Sequence, residues 1–145
     1  MFGLFSKKAE EIIGDNDFET HIAGVTFYQR DLRDIFMSLR KTNSGWAHTH
    51  AILRLDNKNK HSENAVRVEI EGKLVGYLPE NGKYDEVSAF DFREDFASGT
   101  SSKTFKVDCK LKEIEVEKKK SLLKVFSKSK TETMLVGRLD IFSDY

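Results

Sequence analysis

The feature that most constrains this chain is a stretch of two-residue apolar alternation that doubles back on itself. Residues 66–70 (VRVEI) place an apolar side chain at every second position, Glu71-Gly72 is a tight-turn signal, and residues 74–79 (LVGYLP) form a second apolar run. Side chains alternate between the two faces of a strand, so such a pattern buries one face. The sequence therefore predicts a β-hairpin, which ends at Pro79, the single proline.

Other segments carry the composition of strands. Residues 21–28 (HIAGVTFY) are rich in β-branched and aromatic residues, and residues 46–55 end in alternating apolar positions. From residue 105 the apolar positions again recur every second residue, but they shift by one at Ile114. This shift predicts a β-bulge at residues 112–113 that keeps both halves facing the core. The last strands are predicted at residues 122–126 and 134–142.

Two helices interrupt these strands. Between residues 32 and 39 the apolar residues recur at helical spacing, with Asp31 and Asp34 early in the segment and Arg40 and Lys41 at its end. This is the charge order that the helix dipole favours. Residues 83–97 predict a second helix, whose apolar stripe is less regular.

These elements define the fold class. About seven short strands and two helices predict a mainly β (α+β) fold: a small OB/SH3-like bent sheet or β-barrel with a C-terminal β extension. A length of 145 residues suits one domain. We divide it into an N-terminal segment (residues 1–19), a barrel core (residues 20–97) and C-terminal strands (residues 98–145) that pack on or complete the same domain.

Charge limits how the chain meets a partner. The 24 basic and 24 acidic residues cancel, so a nucleic acid must be met by a local patch rather than by overall charge. Residues 101–130 carry ten lysines against four acids, whereas residues 1–20 and 81–100 are each acidic by three charges. The sequence thus predicts a basic face and an acidic face. Each of these faces is explained equally well as a solvated surface that binds no partner.

The compartment is predicted from the cysteine content. Cys109 is alone, which excludes an internal disulfide and a thiolate zinc site and fits a reducing cytosol. No apolar run has the length of a signal peptide or of a membrane span. We therefore expect a cytoplasmic or nucleoid-associated protein with no membrane partner.

The sequence contains no catalytic or cofactor motif. It lacks a phosphate loop, a dinucleotide fingerprint, a nucleophile elbow and zinc-finger spacing. His48 and His50 share a face of a predicted strand, but a metal site would also need His21 or His61, and a polar strand face is the simpler interpretation. We predict no enzyme, no metal and no cofactor.

One arrangement does indicate a function. A predicted strand ends in Phe27-Tyr28, and a loop rich in lysine and asparagine precedes a strand opened by Asn64. Single-stranded nucleic acids bind where bases stack on rings and cations meet phosphates. The alternative is that Phe27 is a core residue and Tyr28 a half-buried strand residue. The candidate cations are Arg54, Lys58 and Lys60.

The same segments resemble a HIRAN domain, the module found at the front of fork-remodelling helicases and as a stand-alone bacterial protein. The matching stretches are residues 22–29 (IAGVTFYQ), 55–68 (LDNKNKHSENAVRV) and 72–79 (GKLVGYLP). With the helix between them they cover residues 20–97, somewhat over half of the chain. The resemblance implies a β-barrel related to the OB and SH3-like families, with a pocket for the 3′ end of single-stranded DNA.

The resemblance also implies roles for individual residues. The rings of one strand would stack on the terminal bases, the polar loop would reach the terminal 3′-hydroxyl, and the hairpin would form a wall of the pocket. The stacking rings would be Phe27 and Tyr28. The loop residues at the 3′-hydroxyl would be His61 and Ser62, with Asn64 bracing the loop, and the wall would be formed by Tyr77.

Two positions depart from the helicase members of the family. Thr26 stands where those members carry a basic residue, and Ser62 stands where they carry a hydroxyl-binding aspartate. Serine accepts a hydrogen bond, but an ionised carboxylate makes a stronger one. Whether binding is specific for DNA ends is therefore left open.

The leading hypothesis is a non-enzymatic nucleic-acid-binding module for single-stranded DNA or DNA 3′ ends, in DNA repair, replication or mobile-element biology. The alternative is a protein–protein interaction adaptor that has the fold but lacks the DNA-end pocket. Nucleic acid and a protein are thus the two candidate partners.

Overall fold

The computed structural model describes residues 9–83, 85–117 and 131–141. The strand predicted at residues 122–126 lies outside these residues. Seven strands and two helices are described, together with a short 3-10 turn at Val25–Phe27 and a π-helical turn at Arg93–Ala97. The strands are β1 (Glu10–Glu11), β2 (Thr20–His21), β3 (Ala47–Leu55), β4 (Val66–Ile70), β5 (Lys73–Tyr77), β6 (Thr104–Glu117) and β7 (Thr131–Asp140), and the helices are α1 (Gln29–Ser38) and α2 (Ala89–Phe92).

The strands form one strongly curled sheet whose two ends meet. The strand order is β2-β7-β6-β3-β4-β5, and β1 adds to β6 in parallel. Just beyond β2, Ala23 exchanges two backbone hydrogen bonds of 2.8 and 2.9 Å with Tyr77 of β5. Gly76 permits this approach, because a Cβ atom there would lie 2.5 Å from the Ala23 carbonyl oxygen. The predicted fold class, a small α+β barrel-like fold with a bent sheet, is confirmed.

The core lies inside the curl. Alternate residues of the strands are buried there, among them Leu53, Val68 and Leu139. The helix α1 contributes a buried apolar stripe and contacts β5 and β7. From α2, Phe92 packs edge-on against Phe105 with 5.1 Å between the ring centroids. Complete burial of such side chains stabilises the fold by about 1.5–3 kcal/mol each.

The predicted hairpin, the first helix and the strand at residues 46–55 are confirmed as β4–β5, α1 and β3. The segment predicted at residues 134–142 is β7, which begins earlier, at Thr131. These elements carry a periodicity that only one secondary structure fits.

The strand predicted at residues 21–28 is wrong beyond its first residues. After β2 only Ala23 still pairs, and Gly24 then takes a left-handed conformation with φ of 76°. The chain turns into the 3-10 segment Val25–Phe27 instead of extending. The composition that favours a strand is overridden by the glycine, which adopts positive φ at little steric cost.

The second helix is shorter than predicted. It begins at Ala89 rather than at residue 83, because the Ser88 side chain accepts a hydrogen bond of 3.1 Å from the Asp91 amide and caps the helix there. The chain then passes directly into the π-helical turn Arg93–Ala97.

The β-bulge predicted at residues 112–113 is also wrong. The pairing of β6 with β7 runs without a register shift from Asp108 opposite Asp140 to Glu117 opposite Thr131. The partner strand β3 ends where Ala47 meets Leu111, so beyond this point β6 and β7 form a two-stranded ribbon. Ile114 therefore lies half-buried on the opposite face from Leu111. No core continues there to require a bulge.

Candidate functional site

An open cavity of about 430 Å³ lies beside the pair of residues that closes the sheet. It is bounded by the 3-10 turn, the end of β5, the loop between β3 and β4, and the start of α2. Its lining residues are Ala23, Gly24, Phe27, Tyr28, Asn59, His61, Ser62, Ala65, Tyr77, Leu78, Glu80 and Ala89.

The 3-10 turn presents two neighbouring rings to this cavity. The turn after Gly24 buries Val25 and leaves Phe27 outside, with 83% of its surface exposed. Tyr28 is half-buried and begins α1, where its carbonyl oxygen accepts the Leu32 amide at 3.0 Å. The alternative that Phe27 belongs to the core is therefore wrong, and Tyr28 is half-buried but lies at the start of α1 rather than on a strand.

Tyr77 brings a third ring to the same wall. Burial raises the pKa of Tyr77 above its usual range, and a hydrogen bond to Tyr28 raises it further. The Tyr77 phenol therefore keeps its proton at neutral pH. The cavity wall thus combines aromatic surface with a hydroxyl group that donates a hydrogen bond, because the barrel closure at Ala23 places Tyr77 beside Tyr28.

The opposite wall is a loop whose shape is fixed by its own side chains. The Asn59 side-chain oxygen accepts hydrogen bonds from the amides of His61, at 2.8 Å, and Ser62, at 3.1 Å. The Ser62 hydroxyl in turn accepts from the Asn64 amide at 3.2 Å. These short-range bonds form a tight polar turn that holds His61 and Ser62 toward the cavity.

Arg93 fastens this loop to the second helical segment. Its guanidinium donates to the carbonyl oxygens of Asn64, at 2.9 Å, and Ala65, at 2.7 Å, and to the side-chain oxygen of Asn57, at 2.9 Å. The planar fork of donors suits such a multiple contact. Both ends of the loop are thereby anchored to the π-helical turn.

Glu80 is the acidic residue among those that line the cavity. It follows Pro79, directly after the hairpin, and its side chain is exposed. The sequence hypothesis did not include Glu80 or Arg93. The proline that ends the strand was a visible signal for the first, whereas the partners of Arg93 lie 28 to 36 residues away and leave no local signal.

The structure brings together half of the residues predicted for the site. Phe27, Tyr28, His61, Ser62 and Tyr77 all line the cavity. The other half does not line it: Thr26 is exposed on the 3-10 turn, Lys58 and Lys60 are exposed on the loop, Asn64 contributes backbone atoms to the loop, and Arg54 pairs with Glu69 at 3.2 Å.

The histidines considered for a metal site do not converge. His50 pairs with Asp108 at 3.2 Å, and His48 packs edge-on against Phe18. Within residues 9–83, 85–117 and 131–141, the group of potential metal ligands that comes together is Asp15, Glu19 and Asp140. The Asp140 carboxylate is already occupied, because it accepts the amides of Asn16 and Phe18 at 2.8 and 3.3 Å.

Comparison of the chain with protein-family models, curated proteins and solved structures found no match. Among the described residues, no helix combines the length and the apolar composition needed to cross a membrane.

Proposed function

We propose that the protein binds single-stranded nucleic acid, DNA in particular, by taking the end of a strand into the cavity, and that it does so without catalysing a reaction. The observation that carries the proposal is Phe27, an aromatic ring 83% exposed at the mouth of a cavity that Tyr28 and Tyr77 also line. Stacking of a base on such a ring is worth about 1–3 kcal/mol. The resemblance of residues 20–97 to a HIRAN domain supports the same function.

The polar groups favour a strand end that carries a free hydroxyl. The Glu80 carboxylate accepts a hydrogen bond from a hydroxyl strongly, and it repels a phosphate in the same position. In this chain the carboxylate comes from the residue after the hairpin, whereas the loop position offers Ser62. We therefore propose that Glu80 takes the hydroxyl-binding role that the aspartate has in the helicase members, and that the bound strand end carries a hydroxyl.

The size of the cavity fits one terminal nucleotide. A volume of about 430 Å³ lies in the range of small-molecule sites. Lys58 and Lys60 are exposed on the loop that forms one wall of the cavity, where they are available for the phosphate of the terminal nucleotide itself. These lysines thus assist binding without lining the cavity.

Fluorescence anisotropy with two labelled oligonucleotides, one ending in a 3′-hydroxyl and one in a 3′-phosphate, tests the proposal. At low salt we expect binding of a 3′-hydroxyl strand, weaker binding of a 3′-phosphate strand, and a loss of about 2–4 kcal/mol in the double variant Phe27→Ala, Tyr28→Ala if both rings stack. Phe90→Ala is the matched control, because Phe90 is 52% exposed and does not line the cavity. Absence of binding to every oligonucleotide contradicts the proposal.

The Glu80→Gln variant separates end recognition from general binding. The amide keeps the shape of the side chain but removes its charge. We expect the preference for the hydroxyl end over the phosphate end to shrink, while binding of the strand persists. Equal binding of both ends by the unmodified protein would leave a nucleic-acid-binding module without end recognition.

A protein partner is the second candidate. Exposed apolar side chains also suit a protein interface, and outside the cavity they include Met37, 70% exposed, and Phe90. The zero net charge favours this alternative. A partner captured at high salt and released by Phe27→Ala, without binding of any oligonucleotide, would support the adaptor function.

A further inference from the structure

A row of basic side chains crosses four neighbouring strands. His48 of β3 is directly opposite Lys110 of β6, Lys110 is opposite Arg138 of β7, and Arg138 is opposite His21 of β2. Directly opposite residues share a face of the sheet. With about 4.8 Å between strands, the row is about 14 Å long.

The row lies on the outer face of the sheet. The neighbours of its members along the strands, such as Cys109 and Leu139, are completely buried in the core. Arg138 itself is exposed, and Lys110 and His21 are partly exposed. The residues of the row are therefore at least partly accessible to a partner.

Lys110 is held in place without an acidic partner. Its ammonium lies 4.8 Å from the ring centroid of Phe18 and 4.3 Å from that of Trp46, and Lys112 lies 5.4 Å from the same tryptophan. Among the described residues neither lysine has a carboxylate within 4.0 Å. A lysine fixed by two rings has already lost rotamer freedom, so an anion that binds it meets a smaller entropic cost.

The row leads to the cavity described above. His21 and Arg138, at its end, line a second and more open depression of about 820 Å³. This depression shares two lining residues, Ala23 and Glu80, with the first cavity. The surface is therefore continuous from the three rings to Lys110.

We propose that this row binds the phosphodiester backbone of the strand whose end occupies the cavity. The inference rests on the proposed function, because it concerns the continuation of the same strand. At 3.4 Å per stacked nucleotide, a row of about 14 Å spans roughly four nucleotides. The row supplies the backbone contacts that the cavity lacks, since the cavity itself contains a carboxylate but no lysine or arginine.

The acidic residues of the depression define the path. Glu86 hydrogen-bonds to His21 and to the Lys83 amide, and Glu19 accepts the Thr20 hydroxyl at 2.7 Å. These two carboxylates are thus engaged within the protein, and the same contact occupies the His21 ring, so Lys110 and Arg138 are the members of the row that meet phosphates. Asp17, Glu80 and Asp85 are exposed, so beyond the terminal hydroxyl at Glu80 the strand runs on the side of Arg138 rather than theirs.

Oligonucleotide length tests the inference. The affinities of a 2-nucleotide and a 12-nucleotide strand, both with free 3′-hydroxyls, are compared for the unmodified chain and for Lys110→Ala, Arg138→Ala. We expect the short strand to bind equally well to both, and the long strand to bind the variant about 5–20-fold more weakly. The slope of log K against log salt for the long strand should fall by about 1.4, as for two phosphate contacts with a single strand.

The control variant is Arg33→Ala, Lys73→Ala, which removes the same charge from residues that pair on the surface with Glu113 and Asp31. It should leave both affinities within twofold. Thermal unfolding of all variants verifies that they fold.

Each outcome bears on a separate claim. If the row variant binds the long strand as well as the unmodified chain does, the inference is overturned and the proposed function stands. Failure of the unmodified chain to bind either strand overturns both. A third outcome is that Lys110→Ala, Arg138→Ala weakens the binding of a polyglutamate peptide but not that of the long strand. The row then binds an acidic protein instead, and the inference is overturned.

Discussion

Phe27 differs from the large apolar residues of the core in what its removal should do. It is 83% exposed, whereas Phe92 is fully buried in the core. We expect Phe27→Ala to change the free energy of unfolding by less than about 0.5 kcal/mol and Phe92→Ala to lower it by about 3–5 kcal/mol. Urea denaturation measures both. A loss above about 2 kcal/mol in Phe27→Ala would show that the ring stabilises the fold rather than serving a ligand.

Glu19 predicts how stability depends on pH. Burial raises the pKa of Glu19 to about 7, with Asp140 and Asp15 adding to the increase against hydrogen bonds from Thr20 and Ile141. The folded chain therefore binds more protons than the unfolded chain between about pH 4.5 and 7. The free energy of unfolding should fall as the pH rises through this window.

In the Glu19→Gln variant the free energy of unfolding should no longer decrease across this pH window, because an amide does not ionise. The full shift corresponds to about 3 kcal/mol, and solvent screening at this half-buried group reduces the expected effect to roughly 1–2 kcal/mol. Denaturant unfolding at pH 5 and pH 8 measures it, with exposed Glu10→Gln as the control. An unchanged pH dependence in Glu19→Gln would contradict the account.

At the scale of single elements, the loop between β3 and β4 should depend on Arg93. Arg93→Gln removes most of the donors that hold both ends of this loop. We expect hydrogen exchange to speed up about tenfold or more at the amides of His61 and Ser62 and to stay unchanged at Val68 in β4. Arg40→Gln, an exposed substitution after α1, is the control. Equal exchange rates at His61 and Ser62 in both variants would mean that the loop keeps its shape without the Arg93 hydrogen bonds.

The closure of the sheet should depend on Gly76. A Cβ atom at this position would lie 2.5 Å from the Ala23 carbonyl oxygen and from Ile22. Gly76→Ala should therefore lower the free energy of unfolding by about 2 kcal/mol or more, with loss of exchange protection at Ala23 and Tyr77. Gly99→Ala is the control, because it meets open space. Full protection in Gly76→Ala would contradict the role of this contact.

The elements that the sequence predicts well are those with an unambiguous period. Strands β4 and β5 show the two-residue alternation of a strand together with a turn signal, and α1 shows apolar residues at helical spacing. The errors arise where a single residue sets the local structure against the composition of its segment. Gly24 turns the chain after β2, and Ser88 starts α2 later than the composition predicts. The absent bulge has another cause: the end of β3 removes the interior that Ile114 was expected to face.

At the scale of the whole molecule, the rings of the site could be predicted and its charges could not. Phe27, Tyr28 and Tyr77 converge because the barrel closure pairs Ala23 with Tyr77, which a predicted barrel implies. Ion pairing is set by partners distant in sequence, so Arg54 is engaged with Glu69 instead of facing a ligand. Glu80 lines the cavity because the chain leaves the hairpin at Pro79, a position that the sequence marks without showing which surface the residue will face.

The central claim is that the rings around this cavity receive bases, and aromatic NMR during titration with a 3′-hydroxyl oligonucleotide tests it most directly. We expect the ring resonances of Phe27, Tyr28 and Tyr77 to shift upfield together as the strand saturates the protein. The rings of Phe90, exposed elsewhere, and Phe92, buried in the core, should keep their positions. Saturable binding that moves Phe90 and leaves Phe27 and Tyr28 unchanged would contradict the account.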